Sequence, residues 1–145
     1  MGTLPTATFA SINSMSELTI PDAHLLHDLI VHQAALHPQA SALTAGATSW
    51  SYADMQWAVQ HVSAGLIHLQ LARTDRVGIW LDKRLETVVA SFAAPAAGGV
   101  MVPMNPLLKP EQVLYIARDC NVRILVTSPE RLALLAPLLD QCPDL

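Results

Sequence analysis

The chain has 145 residues, 52% of them hydrophobic and 14% charged, which places it among folded, core-forming proteins and excludes a disordered chain. That length holds one domain with a real core and not two ordinary ones. The net charge of −4 comes without any basic block, only Lys83 and Arg84 standing side by side, so a dedicated nucleic-acid binder is excluded.

No apolar run approaches the roughly 18 residues that span a bilayer. The longest candidate, Thr87 to Met104, is interrupted by Pro95, Gly98 and Gly99 and reads as a helix followed by a strand. The N-terminus lacks the basic region and apolar core of a secretory signal. Cys120 and Cys142 form no CxxC and read as reduced thiols, in keeping with a cytoplasmic location.

Residues 1–20 mix Thr, Ser, Ala and Asn without period and are expected to be a flexible leader, with 21–145 as the folded unit. Pro21-Asp22 offers a helix start, and Leu25, Leu26, Leu29 and Ile30 recur at helical steps as far as about Leu36. His24, His27, His32 and His37 fall on or near this helix, but only His24 and His27 share a face. No Cys or well-placed carboxylate completes a metal set, so they read as solvated histidines.

Ser41–Ala45 and Thr48–Ser51 are β-prone runs around Gly46 and predict a small hairpin. A helix over 52–70 follows, in which Tyr52, Met55, Val59, Val62, Leu66 and Leu69 recur at steps of three or four. Ser51 and Asp54 stand as N-cap and N3 of a capping box. Ala58 and Gly65 form a small-residue stripe that would let this helix lie close to a sheet.

Strands are expected at 76–81, 100–104 and 123–127, each nearly continuous in apolar residues, as strands covered on both faces are. They alternate with helices at 86–97, 111–119 and 129–139. Pro95 predicts a bend around Ser91 to Pro95, and Pro137 an end or bend of the last helix. The order gives an α/β fold: a parallel sheet with helices on both faces and a small N-terminal hairpin. Three parallel strands suggest an incomplete N-terminal subdomain.

Phosphate-handling α/β proteins place a glycine-rich turn at a helix N-terminus. Here Gly98-Gly99 lies at a helix C-terminus, and no GxGxxG, GxxxxGK[ST] or GxSxG occurs. The turn Asp82-Lys83-Arg84, after the first buried strand, could meet a phosphate, but reads first as a solvated turn. Spacing alone therefore assigns no catalytic, cofactor-binding or metal residue.

Several stretches resemble the adenylate-forming, or AMP-binding, superfamily. Trp50-Ser51-Tyr52-Ala53-Asp54-Met55 is similar to its first core motif, and Asp75-Arg76-Val77-Gly78-Ile79 to the strand that follows. Residues 94–105, APAAGGVMVPMN, resemble its second core motif, with Pro95 and Ala96 where the family commonly has leucine and lysine. Arg123-Ile124-Leu125-Val126-Thr127 fits the next strand. Residues 82–89 and 105–112 look like AMP-forming acyl-CoA ligases of the exosortase A system-associated group.

The resemblance implies ATP-dependent activation of a carboxylic acid and its transfer to coenzyme A, with magnesium as cofactor. The family's phosphate loop, magnesium ligand, ribose-binding aspartate and mobile lysine all lie downstream of this chain's motifs. The chain alone is therefore expected to bind no cofactor and to be inactive. An amino-acid-adenylating domain that loads a carrier protein is the alternative within the class. A binding module that keeps the fold, with self-association through an exposed sheet edge, is the alternative outside it.

Overall fold

The computed structural model describes residues 24–145; the leader and the helix start at Pro21-Asp22 lie outside them. The first helix, α1 (Asp28–Leu36), begins later than the leucine spacing suggests. The carboxylate of Asp28 accepts from the N–H groups of His24 and Leu25, so residues ahead of it form a turn rather than a first helical turn.

The hairpin forms as expected from β1 (Ser41–Ala45) and β2 (Thr48–Ser51), antiparallel, with Ala45 opposite Thr48 across a two-residue turn. Gly46, at φ +60°, supplies the left-handed backbone that such a turn needs. The chain passes directly from β2 into α2 (Tyr52–His68). Ser51 Oγ accepts from the Asp54 N–H at 3.2 Å and Asp54 Oδ2 accepts from the Ser51 N–H at 2.9 Å, the reciprocal capping box.

The buried stripe of α2 is Met55, Ala58, Val59, Ser63 and Leu66, while Val62 and Leu69 are exposed. The expected stripe is thus rotated toward small residues. The physical reason is the neighbour: α2 lies against α1, the hairpin and α3 (Leu85–Ala96). A Cβ added at Gly65 would meet nothing within 4 Å, so that glycine makes no close approach to a sheet.

Three parallel strands, β3 (Arg76–Trp80), β4 (Val100–Pro103) and β5 (Val122–Thr127), form the sheet in the order β4-β3-β5. Central β3 buries Val77, Gly78, Ile79 and Trp80. On one face Val77 packs with Val89, Ala93 and Ala94 of α3 and with α2. On the other, Trp80 packs with Val113, Leu114 and Ala117 of α4 (Pro110–Asp119) and with Leu135 of α5 (Pro129–Leu135). Helices therefore cover both faces of β3, but β4, at the edge of the sheet, leaves Val100 and Met101 exposed rather than covered on both faces as its apolar run suggests. A register shift opposite Arg76/Val77 inserts Arg123 as an extra residue in β5, placing Val122 in the same cluster as Leu125.

Pro95 does not interrupt α3. It stands in the last turn, where the one N–H it lacks would have bonded Ser91, and hydrogen bonding resumes with Ala97 N–H to Ala93 O at 2.9 Å. The last helix changes to 3₁₀ geometry over Ala136–Gln141, at Pro137 as expected. Both cysteines are free, and Cys142 is buried, with its thiol pushed up in pKa by that burial. Among the described residues no helix is long and apolar enough to cross a membrane.

Candidate functional site

In a parallel α/β sheet, ligands are held beyond the carboxyl ends of the strands, where the βα loops meet. Here that edge is built by the loop after β3, carrying Asp82, Lys83 and Arg84, the loop after β4 around Pro106, and the start of α5.

Arg131 of α5 ties all three together. Its guanidinium donates to Asp82 Oδ1 at 2.7 Å and to the Pro106 carbonyl at 2.9 Å, and lies 4.6 Å from the centre of the Trp80 ring. Trp80 is 1% exposed. A planar, permanently charged guanidinium suits this place, since one face can stack while the N–H groups point outward in the plane. Thr127, ending β5, adds a hydroxyl bond to the Trp80 carbonyl at 3.0 Å. The Trp80 Nε1–H is buried without a partner.

The other charges of the turn are held locally. Arg84 makes a two-pronged pair with Glu86, 2.8 and 2.7 Å, and the hydrogen bonds from Arg84 draw the Glu86 carboxyl down to a pKa of about 2. The Thr87 hydroxyl donates to the Asp82 carbonyl at 2.6 Å. A cavity of about 240 Å³ lies between this turn and the hairpin, with Leu43, Leu85 and Val88 among its walls and Lys83 at its edge.

Of the three charged side chains that the sequence offers to a phosphate, Asp82 is paired with Arg131 and Arg84 with Glu86. The cavity beside them is mainly apolar. These residues do not fit a nucleoside triphosphate. The glycines are likewise in structural use. Gly98, at φ +83°, donates to Pro95 O at 3.0 Å and Gly99 to Ala94 O at 2.9 Å, the paired bonds that close a helix C-terminus.

The opposite edge of the sheet has its own arginine. Arg76 donates from Nε to Cys120 O at 2.6 Å, from Nη2 to Asn121 O at 3.0 Å and from Nη1 to Thr74 O at 3.2 Å. Two of these carbonyls sit at the end of α4, whose dipole favours a cation there. Neither Arg76 nor Arg131 announces its role in sequence, because Cys120 and Asn121 lie 44 and 45 residues from Arg76, and Pro106 and Asp82 lie 25 and 49 from Arg131. Among the described residues, no three His, Cys, Asp or Glu side chains gather as a metal set.

Comparison with known proteins gives the context of this scaffold. The sequence matches the AMP-binding enzyme family over residues 30–144. It is 27% identical over 133 residues to the phosphinothricin tripeptide synthetase PhsC of Streptomyces viridochromogenes, covering 88% of this chain and 12% of that protein. To malpibaldin synthetase of Mortierella alpina it is 30% identical over 137 residues, 91% of this chain and 2% of that protein. Among solved structures, the anthranilate CoA ligase AuaEII in complex with anthranoyl-AMP superposes with a TM-score of 0.80 at 25% identity, over 87% of this chain and 24% of that one. VinN superposes with a TM-score of 0.75 at 26% identity, over 80% of this chain and 30% of that one. The chain thus spans a small part of the curated relatives and under a third of these two solved ones. With nearly all of its described residues inside the matched span, the chain belongs to the AMP-binding enzyme family.

Proposed function

We propose that this chain is the N-terminal scaffold of an AMP-forming acyl-CoA ligase. In that reaction a carboxylate attacks the α-phosphate of ATP, pyrophosphate leaves, and the thiol of coenzyme A then displaces AMP from the acyl-adenylate. The observation that carries the reading is the superposition on a CoA ligase holding an acyl-adenylate, over 87% of this chain. The phosphate loop, the magnesium carboxylate, the ribose-binding aspartate and the mobile lysine are contributed by segments outside this chain. The chain's own part is to hold the βα loops through Arg131 and the hairpin through the Ser51–Asp54 box. In isolation it binds neither ATP nor coenzyme A and is inactive. The enzyme works in the cytoplasm.

A second reading, activation of an amino acid for a carrier protein, is favoured by the peptide synthetases among the relatives. The two are separated by assaying the longer enzyme that contains this chain with ATP, magnesium and coenzyme A against panels of carboxylic and amino acids. Acyl-CoA formed from a simple carboxylic acid supports the ligase. Adenylation confined to amino acids, with no coenzyme A thioester, replaces it by the second reading. No adenylation of either panel overturns both.

A further inference from the structure

Two of the chain's three tryptophans, Trp50 and Trp57, line a cavity of about 290 Å³ beside the start of α2, together with Asp54 and Ala58. Tryptophan is highly buried on average. Trp57 is instead 62% exposed.

Each wall of this cavity is held by a contact of its own. Trp50, half-buried, packs against the core cluster that contains Met55 and Val59. Trp57 stacks on His61, with ring centres 3.9 Å apart and planes at 30°, and the His61 Nδ1–H donates to the Trp57 carbonyl at 2.8 Å. One indole face is thereby covered and the other stays open. Asp54 Oδ2 accepts from the Ser51 N–H at 2.9 Å and from the Ser51 hydroxyl at 2.6 Å, whereas Oδ1 takes no hydrogen bond from a described residue. The bonds from Ser51 hold the Asp54 carboxyl below its ordinary pKa, so it is charged at neutral pH.

Indole faces and a carboxylate favour the same kind of ligand, a cation. The start of α2 supplies roughly half a positive charge, which the full negative charge of Asp54 exceeds. No Lys or Arg lines the cavity. With Oδ2 filled by Ser51, the carboxylate cannot offer both oxygens to a guanidinium fork, the geometry that makes arginine pairs strong. A quaternary ammonium group needs no hydrogen bond, only the charge and the open indole faces. We propose that this cavity is a binding site for a small molecule carrying a quaternary ammonium head. A cavity of about 150 Å³ accommodates benzene, so the volume here suits a trimethylammonium group with a short tail. The site is independent of the ligase reading, since it uses no residue of the sheet's carboxyl edge.

The test is a chemical-shift titration of the isotopically labelled chain with choline, in which each tryptophan reports through its own indole N–H. Saturable shifts of the Trp50 and Trp57 signals are expected, with that of Trp80, sealed against the sheet, unmoved. The neutral isostere dimethylbutanol, with carbon in place of the nitrogen, should bind at least about five-fold more weakly. Trp57→Ala, at an exposed position, and Asp54→Asn, which keeps an acceptor for the cap, should each weaken choline about five-fold. Absence of saturable shifts in the wild type, dimethylbutanol binding as well as choline, or an affinity for choline unchanged in Trp57→Ala would each overturn the proposal. If Asp54→Asn unsettles the start of α2, the dimethylbutanol and Trp57→Ala comparisons still decide it.

Discussion

Arg131 reaches Asp82 across 49 residues of sequence, Nη2 to Oδ1 at 2.7 Å, and in doing so closes the carboxyl edge of the sheet over Trp80. The arginine side chain is 16% exposed and the aspartate 73%, so the two partners contribute unequally.

An exposed ion pair stabilises by about 0–1 kcal/mol, and Asp82→Asn is expected to fall within that range. Arg131→Ala removes the stack on Trp80 and the bond to the Pro106 carbonyl as well, and is expected to cost about 2 kcal/mol. Urea unfolding of the two variants checks this. Equal losses would show that the ion pair, not the stack and the carbonyl, carries the contact.

Two glycines separate soft from hard crowding. A Cβ at Gly78 would stand 2.9 Å from Leu125 Cδ1 and 3.1 Å from Met104 Cε, both ends of side chains that can turn. At Gly99 it would stand 3.0 Å from the Asp75 carbonyl and 3.2 Å from that of Ala94, backbone atoms of a strand lead-in and a helix end. Overpacking costs about 1–3 kcal/mol. Gly99→Ala is therefore expected near the top of that range and Gly78→Ala near the bottom, and thermal unfolding of both gives the order.

Acid should loosen the start of α3 in a defined window. The folded Glu86 carboxyl has a pKa of about 2 against an ordinary 4.5. Lowered in the folded state, it stabilises above about pH 4.5, and that contribution disappears as pH falls toward 2. Because Glu86 is 57% exposed, solvent screening leaves under about 1 kcal/mol. Glu86→Gln should lose this component: the variant's stability relative to wild type should rise as pH drops from about 5 to about 2.5, and a constant difference would show that the Arg84 pair does nothing.

Ser51 links the hairpin to α2, since one hydroxyl caps the helix at the residue that ends β2. Ser51→Ala is expected to cost about 1 kcal/mol, read from urea midpoints, while Ser51→Asp, another good cap, retains most of the stability.

The strands, the hairpin and the capping box are legible in the sequence because each rests on neighbours in the chain: a continuous apolar run, a turn glycine, a hydroxyl three residues before an acid. The burial of α2 is less so. Periodicity selects the largest apolar side chains, Val62 and Leu69 among them, whereas packing against α3 selects the small Ala58 and Ser63. The arginine braces were not legible, because Arg76 and Arg131 resemble any other surface arginine until the sheet brings distant carbonyls to them. The turn Asp82-Lys83-Arg84 reads in sequence first as a solvated turn, and the pairing of Asp82 with Arg131 and of Arg84 with Glu86 shows where two of its charges go.

The most direct measurement is carboxylate-dependent exchange of labelled pyrophosphate into ATP by this 145-residue chain alone, set beside the same assay on the longer enzyme proposed to contain it. Exchange by the longer enzyme and none by the chain is the expected result for a scaffold whose catalytic groups lie elsewhere. Exchange by the isolated chain, abolished by omitting the acid, would contradict it.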